Sequence, residues 1–247
     1  MINKLLRNLA LARRLVDWRA LRIQKQGCSV CGFWYLVKFG NNEHSIRCLR
    51  CGANPSAMCM VDVLLNQVPD LSSKTIYELS SRGPFFVYLR EHAGTLVFSE
   101  YFDDVPGGSS KDGILCQDVQ NLTFPDQSFD VCTSLDVLEH VPDDDKAFSE
   151  IFRVLKPGGH FVFTVPLSTR HKTVERASMV EDEIRHILPP EFHDDHIRGQ
   201  GQVLCFRNYG TDIVDRLEKQ GFQNVEIVPP DELRCWGHGR DVLVASR

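Results

Sequence analysis

The 247-residue sequence has no apolar run of the roughly 18 residues that a membrane-spanning helix needs, so a helical membrane protein is excluded. No segment recurs at a fixed period, which excludes a repeat architecture. The N-terminal stretch has neither a clean apolar core nor a small-residue cleavage site, so a secretory leader is not expected. Cysteine is not scarce, but nine is an odd number, and four of the nine form two close pairs. A disulfide framework is therefore not the expectation. A reducing, cytoplasmic location is.

Charge is unevenly spread. Residues 1–52 hold ten Lys/Arg against two Asp/Glu, a balance of +8, while the remainder balances to −13. The basic end suits an anionic contact, and the acidic body argues against a broad nucleic-acid footprint. Residues 2–26 predict a helix. Ile2, Leu5, Leu6, Leu9, Ala12, Val16, Ala20 and Ile23 share one stripe, with Lys4, Arg7, Arg14, Arg22 and Lys25 opposite. Such a helix packs on its own domain or lies on a membrane surface. The oligomeric state is not legible.

Cys28-x2-Cys31-x16-Cys48-x2-Cys51 has the two-knuckle spacing of a zinc ribbon. Four thiolates fill a tetrahedral zinc and leave no open position, so the expected zinc is structural. Gly32 and Gly52 follow the second Cys of each pair, where a positive φ turns backbone amides toward sulfur. Cys59, Cys116, Cys132, Cys205 and Cys235 are expected to act as small core residues. The divisions are then a basic helix over 1–26, the ribbon over 27–53 and a connector over 54–73 with a short helix at Met58–Val68. An α/β domain covers 74–247.

Strands are expected near 75–79, 95–99, 113–117, 129–133, 160–165, 223–228 and 240–245. Between the fourth and fifth, Phe148, Ile151, Phe152 and Leu155 fall at helical spacing, and Pro157-Gly158-Gly159 stops that helix. Near-continuous apolar strands joined by a helical crossover imply a doubly wound, mostly parallel seven-stranded α/β sheet. Residues 167–208 interrupt the rhythm with a long, His-rich, polar insertion. It follows the fifth strand and is placed as a lid above the carboxyl edge of the sheet.

The run Phe129-Asp-x5-Asp136-Val-Leu-Glu-His-Val141, followed by Leu155-Lys-Pro-Gly-Gly159, resembles strands four and five of class I S-adenosylmethionine (SAM) dependent methyltransferases. The resemblance covers about residues 74–247 and implies a Rossmann-like fold, SAM as cofactor and methyl transfer as activity. It assigns Glu78 to the family's acidic residue after strand one and puts Ser80 where its first glycine stands, with only Gly83 remaining of the glycine-rich run. It further implies Glu100 on the ribose, Tyr101 along the adenine or ribose, Asp118 on the adenine with Val119 flanking it, and Ser134 and Leu135 on the methionine side.

A hydroxyl acceptor must lose a proton, so a base is expected near the methyl group. The insertion offers His171, His186, His193 and His196, with His193 preferred. His140 and His171 are the other catalytic candidates. Asp136-x2-Glu139-His140 is similar to the Glu-x2-Glu-His that carries a metal ion in ubiquinone-pathway O-methyltransferases, with Asp in place of the first Glu. A His193-x2-His196 metal pair is another alternative. The expected function is SAM-dependent O-methylation of a small-molecule or glycan hydroxyl. Two alternatives stand beside it. One is an RNA base methyltransferase gripping RNA with its basic ribbon end, although no Asn/Asp-Pro-Pro-Tyr type motif is present. The other is a non-catalytic module with this fold.

Overall fold

The computed structural model describes Arg19 and residues 21–181, 183–195 and 201–247. Most of the expected N-terminal helix, and His196, therefore lie outside the described residues. Its expected last turn is corrected. Arg22–Lys25 is a strand, β1, paired antiparallel with β2 (Tyr35–Lys38), which pairs with β3 (Ile46–Cys48). The ladder supplies hydrogen bonds that a helix about to meet Gly27 and the first knuckle would have to give up. Beyond β1, Gln26 Oε1 accepts from the Cys235 amide at 2.9 Å.

The main sheet is built from β4 (Thr75–Glu78), β5 (Thr95–Glu100), β6 (Ser110–Lys111), β7 (Ile114–Cys116), β8 (Phe129–Leu135), β9 (Leu155–Thr164), β16 (Gln223–Val228) and β17 (Val242–Ser246). Their order is β16-β17-β9-β8-β4-β5-β7-β6. Pairs from β9 to β7 are parallel, and β17 is antiparallel to both its neighbours. Eight strands replace the expected seven, because β6 folds back antiparallel on β7 as a short edge.

Side chains alternate across this sheet, as the pleat requires. Ile76, Val131, Val162, Val242 and Val244 enter one core with helices α1 (Pro55–Gln67) and α2 (Gly83–His92) and with the ribbon. Tyr77, Cys132, Phe161, Phe163 and Leu243 enter the other, under α3 (Asp144–Val154) and α4 (Ile213–Lys219). Helix α1 starts where the Asn54 side chain accepts from the Ala57 amide at 3.0 Å and Pro55 opens the first turn. The helix expected at Met58–Val68 within the 54–73 connector is thus Pro55–Gln67, and it covers the sheet. Helix α3 is capped by Asp143 on the Lys146 amide at 3.1 Å and buries Ala147, Phe148, Ile151 and Val154 as one stripe.

The insertion is folded. It makes three two-stranded antiparallel ribbons: β10 (Val174–Glu175) with β15 (Arg207–Asn208), β11 (Ala177–Val180) with β12 (Glu183–His186), and β13 (Phe192–Asp195) with β14 (Gly201–Leu204). Buried Arg207 ties it down. Its guanidinium donates to the carbonyls of Leu138, Val141 and Pro142 and meets Asp144 and Glu175. Tyr209 and Arg216 both donate to Asp144 Oδ2, at 3.0 and 2.7 Å.

Candidate active site at the carboxyl edge of the sheet

Strands β4, β5, β8 and β9 run the same way, so Glu78, Glu100, Leu135 and Thr164 end on one edge. Glu100 is buried there. Its Oε1 accepts from the Ser81 amide at 2.6 Å, the Ser81 hydroxyl at 2.7 Å and the Ser80 hydroxyl at 3.4 Å. Burial raises its pKa, with these bonds pulling the other way. The turn after β4 therefore wraps over the expected ribose carboxylate. Gly83 takes φ +88° at the start of α2, whereas Ser80 stays outside the left-handed region. The one glycine retained in the loop is the one the backbone requires.

Glu78 is 1% exposed, and its Oε2 accepts from Thr133 Oγ1 on β8. Desolvation, against the opposing Thr133 hydrogen bond and with a smaller push from the Glu100 charge, raises its carboxyl to about 8. Tyr101 stands half-exposed beyond Glu100. Asp118 closes its own turn, with Oδ1 accepting from the Gln120 amide at 2.9 Å and from Gln120 Nε2 at 3.0 Å. Val119 is a core residue beside Tyr77 and Leu122. Ser134 is fully buried with no hydrogen-bond partner for its hydroxyl among the described residues, an orphan that a polar ligand would satisfy. Leu135 is half-buried and precedes Asp136, whose φ is +50°. Asp136 is held by Thr164 Oγ1 at 3.0 Å and faces Arg240 Nη2 at 3.5 Å.

Beside this edge the insertion delivers a second group. His140 and His193 rings meet edge to face with centroids 4.9 Å apart. Glu139 Oε1 lies 3.7 Å from His140 Nε2 and 3.7 Å from His193 Nδ1. Glu191 Oε1 lies 3.6 Å from His193 Nε2. Glu139 is 1% exposed, neither of its oxygens has a hydrogen-bond partner among the described residues, and desolvation pushes its carboxyl up to about 8. Cys205 Sγ is 3.8 Å from His140 Nδ1. His193 is thus a member of a cluster and not a solitary base. His171 is exposed, hydrogen-bonded to Thr211 Oγ1 at 3.1 Å, and no contact among the described residues joins it to the cluster. His186 lies on exposed β12. Sequence reasoning placed Glu191 near the insertion's histidines, read Cys205 only as a core residue, and missed Thr133 and Arg207. Their chemistry is ordinary until the fold brings strand β8 and the insertion together. A groove of about 520 Å³ lined by Lys74, Asp130, Lys156 and His160 sits at the opposite, amino end of the strands.

In the ribbon, Cys28 and Cys51 sulfurs stand 3.7 Å apart and those of Cys31 and Cys48 3.6 Å. Sulfurs on a tetrahedral zinc stand about 3.8 Å apart. Gly32 and Gly52 take φ +68° and +74°, and their amides donate to the Cys28 and Cys48 carbonyls.

A family model described as a methyltransferase domain matches residues 90–163. Sheet order, parallel core and antiparallel β17 give residues 75–247 the Rossmann-like fold of the class I methyltransferases, and the matched segment lies inside it. Among similar proteins is the ubiquinone biosynthesis O-methyltransferase of Coxiella burnetii, 32% identical over 79 residues, which are 32% of this chain and 33% of that protein. A ubiquinone/menaquinone biosynthesis C-methyltransferase of Bartonella bacilliformis is 56% identical over 43 residues, 17% of this chain and 16% of that protein. The chain thus spans about a third or less of the length of these curated relatives. The crystal structure of an S-adenosylmethionine dependent methyltransferase from Mesorhizobium loti aligns with a TM-score of 0.48 and 19% identity, over 76% of this chain and 97% of that one.

Proposed function

We propose that the protein is a SAM-dependent methyltransferase acting on a hydroxyl of a small molecule, with a structural zinc in its N-terminal ribbon. The observation that carries this is Glu100, a carboxylate buried at the end of the second parallel strand and gripped by the turn after the first. The orphaned Ser134 hydroxyl and the close Ser80-Ser81 turn fit a polar cofactor lying along this edge. SAM supplies a methyl group on a sulfonium, so much of the protein's task is positioning and exclusion of water. Glu100 holds the ribose hydroxyls, Asp118 and Tyr101 border the adenine, and Ser134 and Leu135 meet the methionine part. The insertion covers the acceptor, and the Glu139, His140 and His193 cluster eases loss of its hydroxyl proton. An oxygen acceptor is supported by the O-methyltransferase among the relatives.

The test is calorimetry with SAM. A charged hydrogen bond is worth about 1.5–3 kcal/mol, so Glu100→Ala is expected to weaken binding by roughly tenfold to a hundredfold. Equal affinities for the two proteins would remove Glu100 from the site. No binding to either would leave a domain with the fold and without the activity.

A further inference from the structure

We propose that His140, His193 and Cys205 bind a divalent transition metal of the zinc class, clasping the insertion to the sheet edge beside the acceptor. One nitrogen of each imidazole and the Cys205 sulfur all lie within 4.8 Å of one another. Ligands on a tetrahedral zinc stand roughly 3.3–3.8 Å apart, so a closure of about 1 Å completes the set. Two imidazoles and a thiolate are borderline to soft donors, which suit zinc and its neighbours. Magnesium and calcium take oxygen.

The surroundings are those of a ligand set. His140 Nδ1 donates to the Leu204 carbonyl at 2.9 Å, which makes Nε2 the lone-pair nitrogen of that ring. His193 has Glu191 on its Nε2 side and Glu139 on its Nδ1 side. A partner on the far nitrogen is what orients a metal-bound imidazole. Glu191 is itself fixed by Arg176 at 3.2 Å and Asn208 at 3.3 Å. The second, independent sign is Glu139. It is almost fully buried, its two oxygens have no hydrogen-bond partner among the described residues, and it faces both imidazoles at 3.7 Å, so a polar ligand is missing from this spot. Asp136 is outside the set, engaged with Thr164 and Arg240.

Three protein ligands leave a fourth position open. There an acceptor hydroxyl bound to the metal would lose its proton at lower cost. This last step rests on the methyl-transfer reading, whereas the metal site does not. His140 follows β8, and His193 and Cys205 belong to the insertion, so the metal also ties the insertion down.

The experiment measures metal, not turnover. The full chain is loaded with excess zinc chloride, desalted and analysed for zinc per chain. His193→Ala and Cys205→Ala are each expected to hold one zinc fewer than the unaltered protein, and His171→Ala the same number. Because the comparison is a difference, it stands whatever the ribbon holds. His193 is partly exposed on a hairpin, so its loss should leave the fold intact, as circular dichroism will register. With no chelator present, so that the ribbon is undisturbed, proteolysis within 167–208 should be faster in His193→Ala than in the unaltered chain. Equal zinc content in the unaltered protein and His193→Ala overturns the proposal, even if methyl transfer is demonstrated. A lost equivalent supports it even if no acceptor is found.

Discussion

At the scale of residues, the carboxyl edge concentrates carboxylates in places where water cannot reach them. Glu78 is the clearest case, with its carboxyl pushed up to about 8 from 4.5 chiefly by desolvation. The sign of its effect on stability follows from linkage. Below about pH 4.5 the group is protonated in both states. Between there and about pH 8 the unfolded chain ionises while the folded one stays protonated, so stability falls as pH rises across that window. Glu78→Gln keeps the acceptor for Thr133 and removes the ionisation. Its melting temperature should depend less on pH than the unaltered protein's and exceed it at pH 8, by up to about 4 kcal/mol in stability. Parallel melting curves from pH 5 to 8 would show that Glu78 does not titrate in that range. That Glu78 belonged at this edge was legible in the sequence. Its neutral state was not, because the hydroxyl of Thr133 and the depth of burial come from a strand more than fifty residues away.

Among elements, the insertion is where sequence and structure differ most. Its length and polarity suggested a lid over the carboxyl edge. The structure shows three small ribbons held by Arg207, Asp144, Glu175, Tyr209 and Arg216. A buried Arg paired in this way is costly to disrupt, because its partners stay behind without it. Arg207→Met should cost about 3–5 kcal/mol in urea unfolding, with Asp144 and three carbonyls left short of a donor. A loss under about 1 kcal/mol would mean that the network relaxes around the gap. No pattern in the sequence marks Arg207, since a single basic residue in a polar stretch reads as solvated. The hairpin registers are equally hidden, because two-residue and four-residue strands are too short for periodicity to declare.

For the whole molecule, the ribbon is continuous with the domain it precedes. Leu36, Cys48 and Ala53 are buried in the same core as Met58, Met60 and Leu64 of α1 and Ile76, Val162 and Val242 of the sheet. Polar ties reinforce it: Arg234 to Asp62 and to Ser29 Oγ, Lys38 to His238 at 3.1 Å, and Arg240 to Glu43 at 2.8 Å. A ribbon that unfolds alone, leaving the α/β domain as it was, is therefore not expected. Cys48→Ser should lower the melting temperature of the entire chain by roughly 5–10 °C in one transition, since structural zinc contributes directly to folding and the core is shared. A main transition unmoved by the substitution would establish the ribbon as an independent unit.

The sequence by itself determined the local elements and their class. Alternating and near-continuous apolar runs placed all seven main strands, because period-two patterning survives any tertiary context. The two cysteine knuckles were equally readable, since each depends on residues a few positions apart, whereas the expected helix end at Pro157-Gly158-Gly159 is corrected: the helix stops at Val154, and these three residues lie within β9. The end of the expected helix at Arg22–Lys25 was lost to a ladder with β2, a competition that local propensity does not register. Only the tertiary structure decided which histidines come together. His140 and His193 are 53 positions apart, and Glu139 and Cys205 gain meaning from their distances to them. Long-range proximity leaves no trace in spacing, because it is set by how the whole sheet and its insertion pack.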